Sequence, residues 1–153
     1  MEIILASASK RRQELLFSLG LKFTVIPSAF DESNITFKDP KKIVAKLSLG
    51  KALAVKNKIA YKNFLIISAD TIVAIKNEKK YLIMGKPKTR TEAEKMLSLL
   101  KNKKHLVLTG VSLINHNNKF KNFVEITNVY INDFSKKQIK SYLDQGFYLD
   151  RAG

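Results

Sequence analysis

The chain has 153 residues, the size of one ordinary domain, and it contains no cysteine, which excludes disulfides, thiolate catalysis and sulfur-bound zinc or iron. Its 28 basic and 13 acidic residues give a net charge of +15. This charge favours anionic partners, but most of the basic residues are lysines scattered along the chain, which solvated surfaces explain without a dedicated nucleic-acid site. No stretch approaches the roughly 20 apolar residues of a transmembrane helix, and the N-terminus lacks the order of a signal peptide. The sequence therefore predicts a cytoplasmic protein that makes no use of a membrane.

The first half of the chain alternates strand and helix patterns. An apolar run at 2–6 predicts a strand, and Ser9 can cap a helix that continues to about Leu19. In that helix one apolar face is expected to be buried, comprising Leu15, Leu16 and Leu19, and Gly20 is the stop signal. Alternation at 22–27 predicts a second strand. Asp39-Pro40 opens a long helix to about Asn57, with Ile43, Leu47 and either Leu53 or Ala54 facing inward.

The second half is richer in strands. A strand at 64–69 is expected to end at Asp70-Thr71, followed by a hairpin of 72–75 and 81–83. Thr91 and Glu94 fit a capping box for a helix reaching about residue 100, and Ser135 with Gln138 fits another for a helix ending at Gly146. Between them, 105–114 and 120–131 predict two long strands joined by an Asn-rich turn. This order predicts one α/β domain over residues 1–153, with a mixed β-sheet flanked by helices.

The first candidate site is the start of the first helix. Ser7, Ser9, Arg11 and Arg12 supply two hydroxyls and two guanidiniums there. A helix N-terminus attracts phosphate through its unpaired N–H groups and partial positive charge, and Arg binds phosphate oxygens bidentately. The alternative is a capping serine followed by two solvated arginines.

The second candidate feature is a set of carboxylates. Asp70 follows an apolar strand, where the ligands of open α/β sheets gather, and it can hold a hard metal ion or take a proton from water. Asp31-Glu32 adds acidic residues after the second strand, as an ion bridging protein to phosphate would require. The alternatives are an Asp that begins a turn and a solvated acidic pair.

The third feature is a pair of lysines that can be aimed at an anion. Lys86 lies between Gly85 and Pro87, and Lys51 lies inside the long helix. An exposed turn lysine is the alternative for Lys86. Together the donors, carboxylates and lysines are the components of metal-assisted phosphoryl chemistry. The motifs of P-loop nucleotidases and of dinucleotide-binding folds are absent from the sequence.

These motifs resemble those of the Maf family of nucleoside triphosphate pyrophosphatases. The similar segments are LASASKRRQELL (with Lys10 where proline is usual), Asp31-Glu32, Lys51, SADTIV, GKP, EAEKML, LTGVSL and 127–131. The resemblance covers essentially the whole chain. It implies the fold shared by Maf and inosine triphosphatase proteins and the hydrolysis of a nucleoside triphosphate to monophosphate and pyrophosphate, with a divalent cation, Mg²⁺ or Mn²⁺, as cofactor.

The resemblance also implies residue roles. Asp70 would be the proton acceptor and a metal ligand, with Glu32 as the second metal ligand. The triphosphate would be held by Ser7, Ser9, Arg12, Lys51 and Lys86. Arg11 and Thr71 occupy the specificity positions, and this combination is similar to the branch that acts on dTTP and UTP.

One departure from the family pattern concerns the end of the chain. The last residues, YLDRAG, resemble the approach to the family's K-A-G-x-Y-x-x-Q motif, whose Gln and following segment are not in this sequence. The chain is therefore expected to be truncated, weak in catalysis and low in stability. A homodimer that covers the apolar face left exposed by the truncation would restore stability but not the missing Gln. Two other functions stay open: a nucleotide-binding regulator of cell division with little or no turnover, and a basic nucleic-acid-binding module.

Overall fold

The structure is a computed structural model that describes residues 1–33, 35–78 and 80–150. Its elements in chain order are β1 (Glu2–Leu5), α1 (Lys10–Ser18), β2 (Thr24–Val25), α2 (Pro40–Lys56), β3 (Phe64–Asn77), β4 (Lys80–Met84), α3 (Arg90–Leu100), β5 (Lys103–Asn115), β6 (Phe120–Ile131), α4 (Lys136–Asp144) and a short 3₁₀ turn (Phe147–Asp150). This confirms the predicted α/β class. Of the helices in the described ranges, none combines the length and apolarity that crossing a bilayer requires.

The strands form one mixed six-stranded sheet. The order is β2-β1-β3-β5-β6, and β4 pairs with β3 off this path. The pairings of β1 with β2 and with β3 are parallel, because α1 and α2 return the chain to the same end of the sheet. The pairing of β3 with β4 is an antiparallel hairpin from Val73↔Met84 to Asn77↔Lys80. The predicted mixed sheet is thus confirmed.

Two compact units share the chain. The first comprises Met1–Asp70 and Thr109–Glu125, and the second comprises Thr71–Leu108 and the chain from Ile126. The core of the first unit joins β1, α2, β3 and β5 through seven buried residues: Ile4, Ala6, Ala52, Val55, Phe64, Ile66 and Ile114. In the second unit one buried cluster contains Val73, Ile75, Met84 and Leu100, and another contains Ala93, Ile139 and Leu143. The sequence prediction of a single domain over 1–153 stays a prediction.

The helix faces were predicted only in part. In α1 no residue is buried, and Leu15 and Leu19 are 64% and 73% exposed, so the expected inward face is wrong. Gly20 does end this helix with a positive φ of 72°. In α2 Leu47 is buried as expected, and of the two alternatives Leu53 is exposed and Ala54 is partly buried. The buried face of α2 follows Val44, Leu47, Ser48, Ala52 and Val55 instead, so it is lined partly by small and polar residues.

One of the two capping boxes predicted from the sequence is present. The capping box of Ser135 and Gln138 is present, and β6 has the predicted bounds. The box expected at Thr91 and Glu94 is wrong, because Thr89 is the N-cap and its hydroxyl accepts from the Glu92 amide at 3.1 Å. The carboxylate of Glu92 in turn accepts from the Lys88 amide at 2.7 Å.

The end of the chain lies outside the described range. Residues 151–153 belong to the YLDRAG run on which the predicted truncation depends, so the structure does not test that prediction.

Candidate active site

The sequence predicts that the strand ends at Asp70, but Asp70 lies within β3. The strand continues through Asp70 because its second half pairs with β4. The parallel partner β1, however, ends at Leu5, which pairs with Ile67. Asp70 therefore follows the last parallel pair by three residues and lies beyond the carboxyl end of β1, where ligands of α/β sheets bind. Only 9% of the residue is exposed.

Lys51 brings two of the predicted carboxylates together. Its Nζ lies 2.8 Å from Oε1 of Glu32, and it donates a hydrogen bond to Oδ1 of Asp70. The side chains of Lys51 and Asp70 are 14% and 12% exposed, whereas that of Glu32 is 54% exposed. One ammonium thus lies between two carboxylates that come from a loop and a strand. Lys51, the lysine predicted inside the long helix, is at the centre of this cluster.

The acidic pair after β2 divides into two roles. The Asp31 carboxylate accepts a hydrogen bond from the Ser33 amide at 2.9 Å, and the Ser33 bonds lower the pKa of Asp31. Asp31 therefore bonds within its own loop, while the adjacent Glu32 reaches Lys51. The sequence predicted Glu32 as the metal ligand of the pair, and this arrangement agrees with that choice without testing it.

Ser7 is the centre of the polar groups at the start of α1. Its Oγ accepts from the Ser9 amide and from Nη1 of Arg12, both at 3.2 Å, and Ser7 is 7% exposed. Ser9 occupies the N-cap position, but its hydroxyl makes no capping hydrogen bond. Arg12 is partly buried, and Arg11 is exposed. The structure therefore brings together Ser7, Ser9 and Arg12, three of the residues predicted to bind phosphate.

A buried polar network fixes the helix that carries Lys51. Ser112 on β5 donates to Ser48 on α2 at 3.0 Å, and Asn122 on β6 donates to Ser112 at 2.8 Å and to the Ala45 carbonyl at 2.9 Å. A side chain at Gly110 would overlap the backbone carbonyl of Val44, so only glycine permits this close approach of β5 to α2. No local pattern in the sequence marks these residues, because they act across elements far apart in the chain.

Two predicted site residues lie in the second unit. Thr71 is an exposed residue of β3, and Lys86 is exposed in the loop between β4 and α3. Their assignment to the base and to the phosphates remains a prediction.

The chemistry of the cluster suits a divalent cation. In the described part of the chain no group of three or more acidic, histidine or cysteine residues could enclose a metal ion. The carboxylates of Glu32 and Asp70 are nevertheless close enough to contact the same ammonium. Mg²⁺ commonly binds through one or two carboxylates together with substrate phosphates, so this donor set fits such an ion.

Comparison with known proteins identifies a family over nearly the whole chain. The family profile described as Maf-like protein matches residues 2–153. A protein of Clostridium beijerinckii named dTTP/UTP pyrophosphatase is 41% identical over 155 residues, which cover 100% of this chain and 80% of the relative. A protein of Thermosipho africanus with the same name is 43% identical over 157 residues, which cover 100% of this chain and 74% of the relative.

A solved structure supports the fold. The nucleoside-triphosphatase / dITP/XTP pyrophosphatase of Mycobacterium abscessus aligns with a TM-score of 0.53, covering 95% of this chain and 94% of that one. The two sequences are 10% identical, so the similarity concerns the fold alone.

Proposed function

Since the chain belongs to the Maf-like family, we propose that it hydrolyses nucleoside triphosphates, dTTP and UTP foremost, to the monophosphate and pyrophosphate. The observation that carries this proposal is the cluster of Lys51, Glu32 and Asp70 beyond the carboxyl end of β1. It combines a nearly buried carboxylate, a second carboxylate and a cation. The chain leaves the same end of β1 to enter α1, whose start carries the residues proposed to bind phosphate. Relatives named dTTP/UTP pyrophosphatase provide the substrate class.

The start of α1 supplies the donors for the triphosphate. Arg12 already donates to the hydroxyl of Ser7, and a guanidinium has five N–H donors, so the same group can also reach phosphate oxygens. The Ser7 contact fixes the direction of the Arg12 side chain before nucleotide binds. Ser9 adds a hydroxyl at the N-cap, where the helix dipole favours negative charge. Lys51, and by family resemblance Lys86, would complete the phosphate contacts.

Asp70 is the proton acceptor in this proposal. A water molecule attacks the α-phosphorus, its proton passes to the Asp70 carboxylate, and the bond from the α-phosphorus to the bridging oxygen breaks, releasing pyrophosphate. A general base must lie within hydrogen-bond reach of the proton that it takes, and the ion pair with Lys51 holds the Asp70 carboxylate in place. The same ammonium offsets the charge that two carboxylates would present to an anionic substrate.

A divalent cation, Mg²⁺ or Mn²⁺, is the proposed cofactor, with Glu32 and Asp70 as its protein ligands. When bound, it would polarise a phosphoryl oxygen and offset the charge that develops on the phosphates. The remaining ligands would come from water and from the substrate.

Base selection is assigned to Arg11 and Thr71. Arg11 is exposed next to Arg12, which contacts Ser7, so the two arginines of α1 differ in their surroundings. A residue that contacts the base changes preference among nucleotides, whereas one that contacts phosphate affects all of them.

Product analysis tests the proposed reaction. The chain is incubated with dTTP, UTP, ATP and GTP and Mg²⁺ or Mn²⁺, and phosphate is measured with and without added inorganic pyrophosphatase. We expect phosphate from dTTP and UTP only when pyrophosphatase is present, with the monophosphate as the nucleotide product. Phosphate without pyrophosphatase together with a diphosphate product would indicate cleavage at the γ-phosphate, and nucleotide binding without turnover would favour the regulatory function; either result contradicts the proposal.

A further inference from the structure

Gly50 lies inside helix α2 immediately before Lys51. Glycine inside a helix costs about 0.5–1 kcal/mol relative to alanine, so a glycine at a buried helical position needs a structural reason. A β-carbon at Gly50 would lie under 3.0 Å from three atoms of the Phe30 ring, Cε1, Cε2 and Cζ. The missing side chain of Gly50 is therefore the space in which the ring of Phe30 is seated.

We propose that Phe30, seated on Gly50, is the positioning residue that holds Glu32 against Lys51. This inference rests on the proposed function, because it concerns how that site is assembled. Phe30 precedes Glu32 by two residues, and Gly50 precedes Lys51 by one. The ring contact and the 2.8 Å ion pair thus connect the same loop to the same turn of α2.

The ion pair alone holds this loop only weakly against α2. The Glu32 side chain is 54% exposed, and an ion pair with an exposed partner contributes little against the entropy of ordering two long side chains. The chain between β2 and α2 has no regular secondary structure where it is described. Burial of the aromatic ring of Phe30 removes apolar surface from water, and this stabilises the docked loop. The close contact with Gly50 determines where the ring lies on α2.

The loop has a second phenylalanine that serves as a matched control. Phe37 is 46% exposed, whereas Phe30 is partly buried. Both residues lie between β2 and α2. Replacement of Phe37 by alanine therefore removes the same side chain from the same loop without removing the contact with Gly50.

Cross-linking tests the positioning role without depending on activity. A water-soluble carbodiimide joins a carboxylate to an amine only when they are in contact, so peptide mass spectrometry of the treated protein measures the Glu32–Lys51 link. We expect Phe30→Ala to lower the yield of this link severalfold and Phe37→Ala to leave it unchanged. A wild-type yield in Phe30→Ala would overturn the proposal.

A double-mutant cycle tests the contact between the Phe30 ring and Gly50. In the wild-type background Gly50→Ala should lower the melting temperature, because the new methyl group displaces the ring. In the Phe30→Ala background the same change should raise it, because only the helix propensity of alanine remains, worth about fivefold in the unfolding equilibrium constant. The same sign of effect in both backgrounds would overturn the proposal. Should Phe30→Ala fail to fold, Phe30→Leu takes its place in the cycle and in the cross-linking experiment.

Kinetics separate this inference from the proposed function. If Phe30 acts through Glu32, Phe30→Ala should lower kcat/KM for dTTP in the wild-type background and have little further effect beside Glu32→Gln. Equal factors in the two backgrounds would overturn the positioning role while leaving the pyrophosphatase intact. Absence of turnover in the wild-type chain would contradict the proposed function, and the cross-link and the melting cycle would still decide the role of Phe30.

Discussion

Removal of the Lys51 ammonium should destabilise the protein, because it leaves a nearly buried carboxylate without its ion-pair partner. Lys51 and Asp70 side chains are 14% and 12% exposed. Breaking a buried pair from one side costs about 3–5 kcal/mol, and an exposed pair contributes at most about 1 kcal/mol. Since both groups keep some contact with water, we expect Lys51→Met to lower the free energy of unfolding by about 3 kcal/mol, at the lower end of the buried range. The more exposed Glu32 should contribute little to this loss.

Urea unfolding followed by far-ultraviolet circular dichroism measures this effect in a chain without tryptophan. The matched control is Lys101→Met, which breaks a surface ion pair with Asp133. The side chains of Lys101 and Asp133 are 38% and 65% exposed. Addition of Asp70→Asn to Lys51→Met should recover part of the loss, because the uncompensated charge is then removed. Equal losses for the two lysine variants, or no recovery in the double variant, would refute this account of the cluster.

The same variant reports on the proposed metal ligands. The ammonium and a divalent cation would compete for the carboxylates of Glu32 and Asp70. We therefore expect Mn²⁺ to raise the melting temperature of Lys51→Met more than that of the wild type. This difference should disappear when Asp70→Asn is added, and its persistence would exclude Asp70 as a ligand.

Three further predictions concern phosphate binding, buried serines and pH. Arg12→Ala should lower kcat/KM for every nucleotide by a factor equivalent to about 2–3 kcal/mol of lost transition-state stabilisation. Arg11→Ala should chiefly change which base is preferred. Ser68→Ala should leave stability unchanged or raise it, because the buried Ser68 hydroxyl has no hydrogen-bond partner within the described part of the chain, whereas Ser112→Ala should cost about 1–3 kcal/mol by breaking its network. Burial lowers the pKa of His105 from 6.5 in the folded protein. As the pH drops, the unfolded chain therefore takes up the proton first, and the free energy of unfolding should fall below about pH 6.5.

Each of these predictions has a measurement and a contradicting result. Steady-state kinetics on a nucleotide panel test the arginines, and equal losses on all nucleotides for both variants would contradict their division of roles. Chemical unfolding tests the serines, and a loss in Ser68→Ala as large as that in Ser112→Ala would show that its hydroxyl is bonded. For the histidine, melting temperatures from pH 5 to 8 should lose this acid-dependent step in His105→Phe and keep it in the exposed His116→Gln. The reverse pattern would contradict the burial argument.

The elements predicted correctly from sequence are those set by neighbouring residues. Two correct predictions depend on contacts within a few residues. They are the capping box of Ser135 and Gln138 and the Asn-rich turn, in which Asn118 has a positive φ of 61°. The failures depend on the rest of the chain. The strand pattern at 72–75 and its partner at 81–83 were predicted, but nothing local shows that 64–77 is one continuous strand through Asp70. Likewise, the exposed face of α1 carries Leu15, which any periodic pattern would place inside.

The candidate site likewise combines residues that local sequence marks with contacts that only the fold creates. The residue types at the start of α1 and the acidic residues were recognisable in the sequence, because each lies at the end of a predicted element. The contact of Lys51 with Asp70 joins positions 19 residues apart, and local pattern does not encode it. Gly50 did carry a local signal, since an isolated glycine inside a helix indicates close packing. Its partner Phe30, however, follows only from the fold.

The central claim is that Asp70 accepts the proton of the attacking water. The most direct measurement compares kcat/KM for dTTP hydrolysis in Asp70→Asn with that in Asp133→Asn, a matched change at an exposed aspartate. Loss of a general base costs about 10²–10⁴-fold, and loss of a metal ligand would add to it, so Asp70→Asn should fall by at least this factor with its fold retained, while Asp133→Asn stays near the wild type. Near-wild-type turnover in Asp70→Asn would contradict the catalytic assignment.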